Sequence, residues 1–239
     1  MTHALYYEDS YRTEAEATVT AVGDTWVVLD ATLFYPMGGG QPGDTGSLTL
    51  ADGSVRRVTD TRKDRDSGEL RHEVEATTSI AVGDKVGLAI DWGRRYAHMR
   101  MHTAMHLLGS LIPVPVTGGQ VGAEKSRLDF DVGEHTLDKE ALTAGLNALV
   151  SAGHDLSFES ITDEELDANP GLVRTMSVQP PRGAGTVRMV RVPDVDYQPC
   201  GGTHVRNTAE IGPVRVSKIE NKGKRNRRVH IVFDEAGAS

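Results

Sequence analysis

The stretch RRYAHMRMHTAMHLLGSLI, residues 94–112, is where the chain changes its hydrophobic period. Met101, Met105, Leu108 and Ile112 recur at three- and four-residue intervals, as on an amphipathic helix. Asp91 stands ahead of this run as a candidate N-cap, and Pro113 follows as a stop. His98, His102 and His106 are spaced by four. Each such step drifts only about 40° around the helix, so the three share roughly one face. Any adjacent pair has the spacing to grip one metal ion. An isolated pair of this kind is equally compatible with surface or core histidines.

On the N-terminal side of this run the text reads as β. TVTAVGDTWVVLDATLFY (18–35), GSLTLADGSVRRVTDT (46–61) and KVGLAIDW (85–92) are rich in Val, Thr, Leu and aromatics and broken by Gly-Asp and Asp-Gly turn signals. Short strands at this spacing predict a small barrel. On the C-terminal side, DKEALTAGLNALVSA (138–152) predicts a second amphipathic helix. Leu142, Leu146, Leu149 and Val150 would share its apolar face, and Gly153 would end it. A short helix is expected at 163–168. RLDFDV, DLSFESI, TVRMVRV, GPVRVSKIE and RRVHIVF read as strands around them. The expected class is α+β: a small β-barrel-like domain over residues 1–90 carrying a glycine-rich loop, then an α+β domain over 91–239.

A second half-site exists far downstream. QPCGGTHV (198–205) holds Cys200 and His204 as a Cys-x3-His pair, with Gly201 and Gly202 giving the backbone freedom for thiol and imidazole to converge. Imidazole nitrogens with one sulfur form a donor set that zinc accepts. On spacing alone, zinc stands against a small buried cysteine and ordinary histidines. The glutamate general base of a His-Glu-x-x-His peptidase is absent from HTAMH, which speaks against a zinc peptidase.

Taken together, FYPMGGGQPGDTG (34–46), HTAMH (102–106), KSRLDFD (125–131), CGGTH (200–204) and the SKIENKGKRNRR segment resemble, in that order along the chain, the editing domain of alanyl-tRNA synthetases and their freestanding relatives, the AlaX proteins. The match is to the longer freestanding form, with an extra N-terminal barrel. The resemblance implies Zn2+ held by His102, His106, Cys200 and His204, with His98 outside the ligand set as a solvated helix residue. It implies a zinc-dependent carboxylic ester hydrolase that deacylates seryl-tRNA for alanine, with glycyl-tRNA as a second substrate, and so serves translation fidelity. The alternative is a non-catalytic RNA-binding module with a structural zinc. Under the enzymatic reading, His204 is also a catalytic candidate, as a displaceable ligand or base. Met105 stands where synthetase editing domains carry threonine. That departure leaves the choice between serine and glycine open, and Met105 equally fits the apolar stripe.

The resemblance also makes Gln41 substrate-facing and catalytic, since its amide both donates and accepts hydrogen bonds, with Gly39 and Gly40 bringing backbone amides close to the ligand. A plain turn is the competing reading. Asp44-Thr45 follows Gly43 where an ATP-binding loop has Lys-Ser/Thr, so no ATP is expected. Arg127 is a candidate for the terminal nucleotide, or simply a partner for Asp129 two residues on.

Composition frames these readings. The net charge is −8, yet residues 218–228 hold six cations against one anion, Glu220. Lys222, Lys224, Arg225, Arg227 and Arg228 are therefore candidates for tRNA phosphates, a solvated hairpin being the plainer alternative. One cysteine forbids an internal disulfide and fits a reducing, cytoplasmic setting. No run approaches the ~20 apolar residues of a membrane span, and the first residues do not read as a secretory signal.

Overall fold

The computed structural model describes residues 2–133, 135–173 and 185–234. The chain resolves into two compact units, Met1–Tyr96 and Ala97–Ser239.

In the first unit six strands close a barrel: β1 (Glu14–Val22), β2 (Trp26–Leu29), β3 (Gly46–Thr49), β4 (Val55–Lys63), β5 (Leu70–Val74) and β6 (Lys85–Ile90). Their order around the barrel is β1-β2-β5-β4-β3-β6. Inward positions alternate along each strand and are filled by Val19, Val27, Leu29, Leu48, Val58, Val74, Val86 and Leu88, all buried. Closure removes the free edges that an open sheet of this size would expose. One polar ring joins this interior. His72 is fully buried beside Phe34, its Nδ1 3.2 Å from the Val27 carbonyl and its Nε2 2.7 Å from the Thr32 hydroxyl.

Helix α1 (Trp92–Leu111) begins where the sequence places its cap: the Arg94 amide reaches the Asp91 carboxylate at 3.3 Å, and the Arg95 amide bonds the Asp91 carbonyl. It ends two residues before Pro113. The second unit then builds two sheets. The larger has the order β12-β13-β8-β7, from β7 (Val116–Gln120), β8 (Lys125–Asp131), β12 (Val214–Asn221) and β13 (Asn226–Phe233). The smaller has the order β9-β10-β11, from β9 (Ser157–Thr162), β10 (Thr186–Val192) and β11 (Asp196–Pro199). Helix α2 (Lys139–Ala152) is capped by the Asp138 carboxylate on the Ala141 amide and ends at Gly153 with φ of 67°. Its buried side chains are Leu146 and Val150, while the expected Leu142 and Leu149 are half-buried at the margins of that face. The short helix α3 (Asp163–Ala168) carries a capping box between Thr162 and Glu165.

The α+β class and the small barrel are thus as expected. Three of these strands were not legible: Arg71, His72 and Glu73 mask β5, and β7 and β11 are hidden as well. The glycines of VTGGQ hide β7, and β11 is only four residues long. All three are recruited by their neighbours' hydrogen bonds rather than by their own propensity.

Candidate metal centre

Helix α1 presents His102 and His106 one turn apart, both nearly buried. The loop after β11 brings Cys200 and His204 to meet them. The Cys200 sulfur lies 3.3 Å from His204 Nε2 and 3.5 Å from His102 Nε2. One donor atom from each of the four residues lies within 4.8 Å of every other. His98 stands outside this group, but it is only 2% exposed, so the solvated position expected for it is wrong. It belongs to the buried side of α1.

The loop is held by Arg188 of β10. Its Nη1 donates to the carbonyls of Cys200 at 2.8 Å and Gly202 at 3.0 Å, and its own carbonyl accepts from the Cys200 amide. Neither Gly201 nor Gly202 is among the described residues with positive φ, so the turn does not use the left-handed freedom expected of its glycines. The guanidinium clamp sets its shape instead.

Each of two imidazoles is oriented by a further partner. His106 Nδ1 lies 2.8 Å from Asp196 Oδ2, and Gln198 Nε2 donates to the same carboxylate oxygen. For His204 the proton inventory fixes the tautomer. The single hydroxyl proton of Thr103 goes to the Met99 carbonyl at 2.9 Å, so its oxygen can only accept from His204 Nδ1 at 3.1 Å and from the Val205 amide. The Nε2 atom of His204 is left unprotonated, facing the sulfur. Carboxylate or hydroxyl partners behind a histidine are the usual way a metal ligand is aimed.

The electrostatics agree. Burial alone would raise the Cys200 thiol, but its electrostatic interaction with the His102 ring and then the His204 ring pulls it well below its ordinary value. Burial, followed by the neighbouring His102, pushes His204 well below the usual imidazole range. For His106 burial acts downward and is overcome by the Asp196 and Cys200 hydrogen bonds, which carry it up to about 10. The cluster therefore favours a thiolate and holds a positive charge beside it tightly. A divalent cation meets that demand, and one sulfur with three nitrogens is a zinc donor set. These residues fit the metal that the sequence implies.

The other candidates fall elsewhere. In the first unit, the glycine-rich loop folds back on itself: the Gly38 and Gln41 amides and carbonyls exchange hydrogen bonds of 3.1 and 2.9 Å. Gly39 and Gly40 take φ of 56° and 84°, which only glycine adopts readily. At Gly43 a Cβ would stand 2.1 Å from the Thr61 carbonyl oxygen. The Gln41 side chain is fully buried. Asp44 anchors the loop's end, accepting from the Tyr35 amide and pairing with the buried Arg95 guanidinium, which also donates to the Leu33 and Ser10 carbonyls.

In the second unit Arg127 bonds Asp129 at 2.8 Å, the paired arrangement weighed for it above. Arg228 forms a fork with the same Asp129, Arg225 pairs with Asp131, and Lys218 and Lys222 flank Glu220, holding its carboxyl down to about 2. Arg227 donates to the Asn221 side chain and to the Gly223 and Asn226 carbonyls. Lys224 is exposed, with no ion pair among the described residues. Met105 is buried, and a Cβ on Gly119 of β7 would come within 3.3 Å of its methyl, so it packs as core. Thr103, Arg188, Asp196 and Gln198 were missed in the sequence. Nothing in their spacing marks them, because each matters only through a neighbour brought from a distant element.

Residues 187–230 match the family described as the threonyl and alanyl tRNA synthetase second additional domain, and residues 4–94 match class II (A) tRNA synthetases. The chain is 40% identical to the alanyl-tRNA editing protein AlaX-M of Methanosarcina barkeri over 98% of its own length and 99% of that protein. It is 36% identical to AlaX-M of Saccharolobus solfataricus over 96% and 98%. It is also 37% identical to the alanine--tRNA ligase of Pyrococcus furiosus over 92% of this chain and 24% of the ligase. The chain belongs to the AlaX-M family of alanyl-tRNA editing proteins.

Proposed function

We propose that this protein is a zinc-dependent deacylase that edits tRNA for alanine, hydrolysing the ester of seryl-tRNA as its main substrate and glycyl-tRNA as a second. The observation that carries this reading is the convergence of His102, His106, Cys200 and His204, with donor atoms within 4.8 Å of one another. The names of its full-length relatives support alanyl-tRNA editing as the setting.

Hydrolysis requires water to attack the ester carbonyl and the resulting oxyanion to be stabilised until the ribose hydroxyl leaves. Zinc held by His102, His106, Cys200 and His204 would order and polarise the site as a Lewis acid. The chain's own part is to hold charge and geometry. Cys200 offers a thiolate, Asp196 keeps the His106 ring aimed, and Thr103 fixes which nitrogen of His204 carries the proton. With its ring held in this way and 1% exposed, His204 serves better as an ordered ligand than as one that departs. A site that bonds a hydroxyl rejects alanine strongly, whereas excluding a methyl to admit glycine gives only about 10–200-fold. Serine is therefore the favoured target. Among the described residues no helix is long and apolar enough to cross a membrane.

Four protein donors also describe closed structural zinc sites, which favours as the second reading an RNA-binding module without turnover. Purified protein tested on seryl-, glycyl- and alanyl-tRNA for alanine separates the two. Loss of serine and glycine with alanine spared is the expected result. Binding without release of any amino acid refutes the deacylase, as does full activity of a metal-free Cys200→Ala protein.

A further inference from the structure

The small sheet has two unlike faces. Its register pairs Phe158 with Val190, Ser160 with Arg188, Val190 with Gln198 and Val192 with Asp196. With side chains alternating at period two, Phe158, Arg188, Gln198 and Asp196 share one face. On that face Asp196 and Gln198 meet at the carboxylate that orients His106, and Arg188 clamps the cysteine loop. The opposite face carries Val187 and Met189 into a small core with Leu166. The first face also carries the buried Val190 and Val192, and Phe158 lies on it at the side of the metal centre. Its ring centroid is 6.4 Å from that of His204, and its side of the sheet is open enough to leave it 43% exposed. Among the described residues of the second unit it is the one large apolar side chain so exposed.

We propose that Phe158, backed by Arg188, is a stacking platform for the base of the tRNA's 3′-terminal adenosine. This rests on the deacylase reading above. An ester bound at the four-residue cluster is attached to a ribose, which puts the base one sugar away from the imidazoles, the distance scale at which Phe158 stands. The ring is already fixed for this purpose: the Arg188 Cζ lies 4.4 Å from its centroid, and two backbone carbonyls hold that guanidinium in turn. An ordered aromatic loses little freedom when a base settles on it. Stacking on one aromatic face is tolerant of base identity, and an RNA end that is unpaired offers its base for it.

The test is binding of two non-hydrolysable compounds by calorimetry: adenosine carrying serine through a 3′-amide, and the same seryl amide on a ribose without a base. Wild type, Phe158→Ala and Phe158→Tyr are compared, each first checked for unchanged zinc content and melting temperature. Phe158→Ala is expected to bind the adenosine compound about tenfold more weakly, within the range for loss of one stacked base. It should bind the baseless compound as wild type does, and Phe158→Tyr should bind both as wild type does. Equal affinity of Phe158→Ala and wild type for the adenosine compound overturns the platform, as does an equal loss for both compounds. Binding reads the platform whether or not turnover occurs, so its failure is distinct from failure of the deacylase reading, which the charged-tRNA assay measures.

Discussion

Thr103 and His72 show what a single proton decides. Thr103 spends its only hydrogen on the Met99 carbonyl and so can serve His204 solely as an acceptor. Thr103→Val removes that acceptor and leaves a buried N–H unmatched, at a cost of about 1–3 kcal/mol. Zinc affinity, measured by competition with a chromophoric chelator, should fall about 10–100-fold, while Thr103→Ser keeps the wild-type value. In the barrel, His72 gives its Nδ1 proton to Val27, and its Nε2 accepts from Thr32, whose oxygen in turn accepts from the Phe34 amide. Neither nitrogen has room for a second proton, and burial lowers the ring from 6.5 to about 4. The unfolded chain then binds protons more readily than the folded one. The stability this residue contributes is complete above pH 6.5 and is lost as pH falls through about 4. At about 1.4 kcal/mol per pH unit, that contribution is about 3 kcal/mol. Urea midpoints recorded from pH 7 to pH 4 should decline over this window, and His72→Gln should flatten the decline.

At the scale of the element, the β12–β13 hairpin carries a basic strip that is largely spoken for. Asp129 lies between Arg127 and Arg228, Asp131 holds Arg225, and Glu220 holds two lysines. These are partly exposed pairs, each of modest worth in water. Their effect is to lower the charge offered to RNA below what six cations suggest. Lys224, at the turn, keeps its charge free of ion pairs among the described residues. Lys224→Ala should weaken tRNA binding evenly across sequences and reduce the slope of log affinity against log salt by about 1. Arg228→Ala should act more on the hairpin, exposing the sheet around Asp129 to faster amide exchange. A larger salt-slope change in Arg228→Ala than in Lys224→Ala would reverse this assignment.

For the whole molecule, the four-residue cluster joins parts of one unit that are far apart in sequence. His102 and His204 are separated by most of the second unit, and a ligand that binds only the folded state stabilises it in proportion to its affinity. Removal of zinc by a chelator should lower the melting temperature of the second unit's transition, and restoring zinc should return it. A transition that ignores the chelator would mean that the cluster closes without an ion. The barrel has no share in the four ligands and should melt independently of the metal.

Local rules were enough for much of this protein. The caps at Asp91 and Gly153, the helix at 163–168, most of the barrel's strands and the two halves of the four-residue cluster are legible in the chain, because caps, periods and ligand spacings act over a few residues. The cross-chain pairings were not. That His98 is buried, that Arg225 and Arg228 face the carboxylates of β8, and that Asp196, Gln198, Thr103 and Arg188 surround the cluster depend on contacts between residues some twelve to one hundred and one positions apart. A hydrogen bond or an ion pair is decided by distance in space, which only the packed sheets and helix supply.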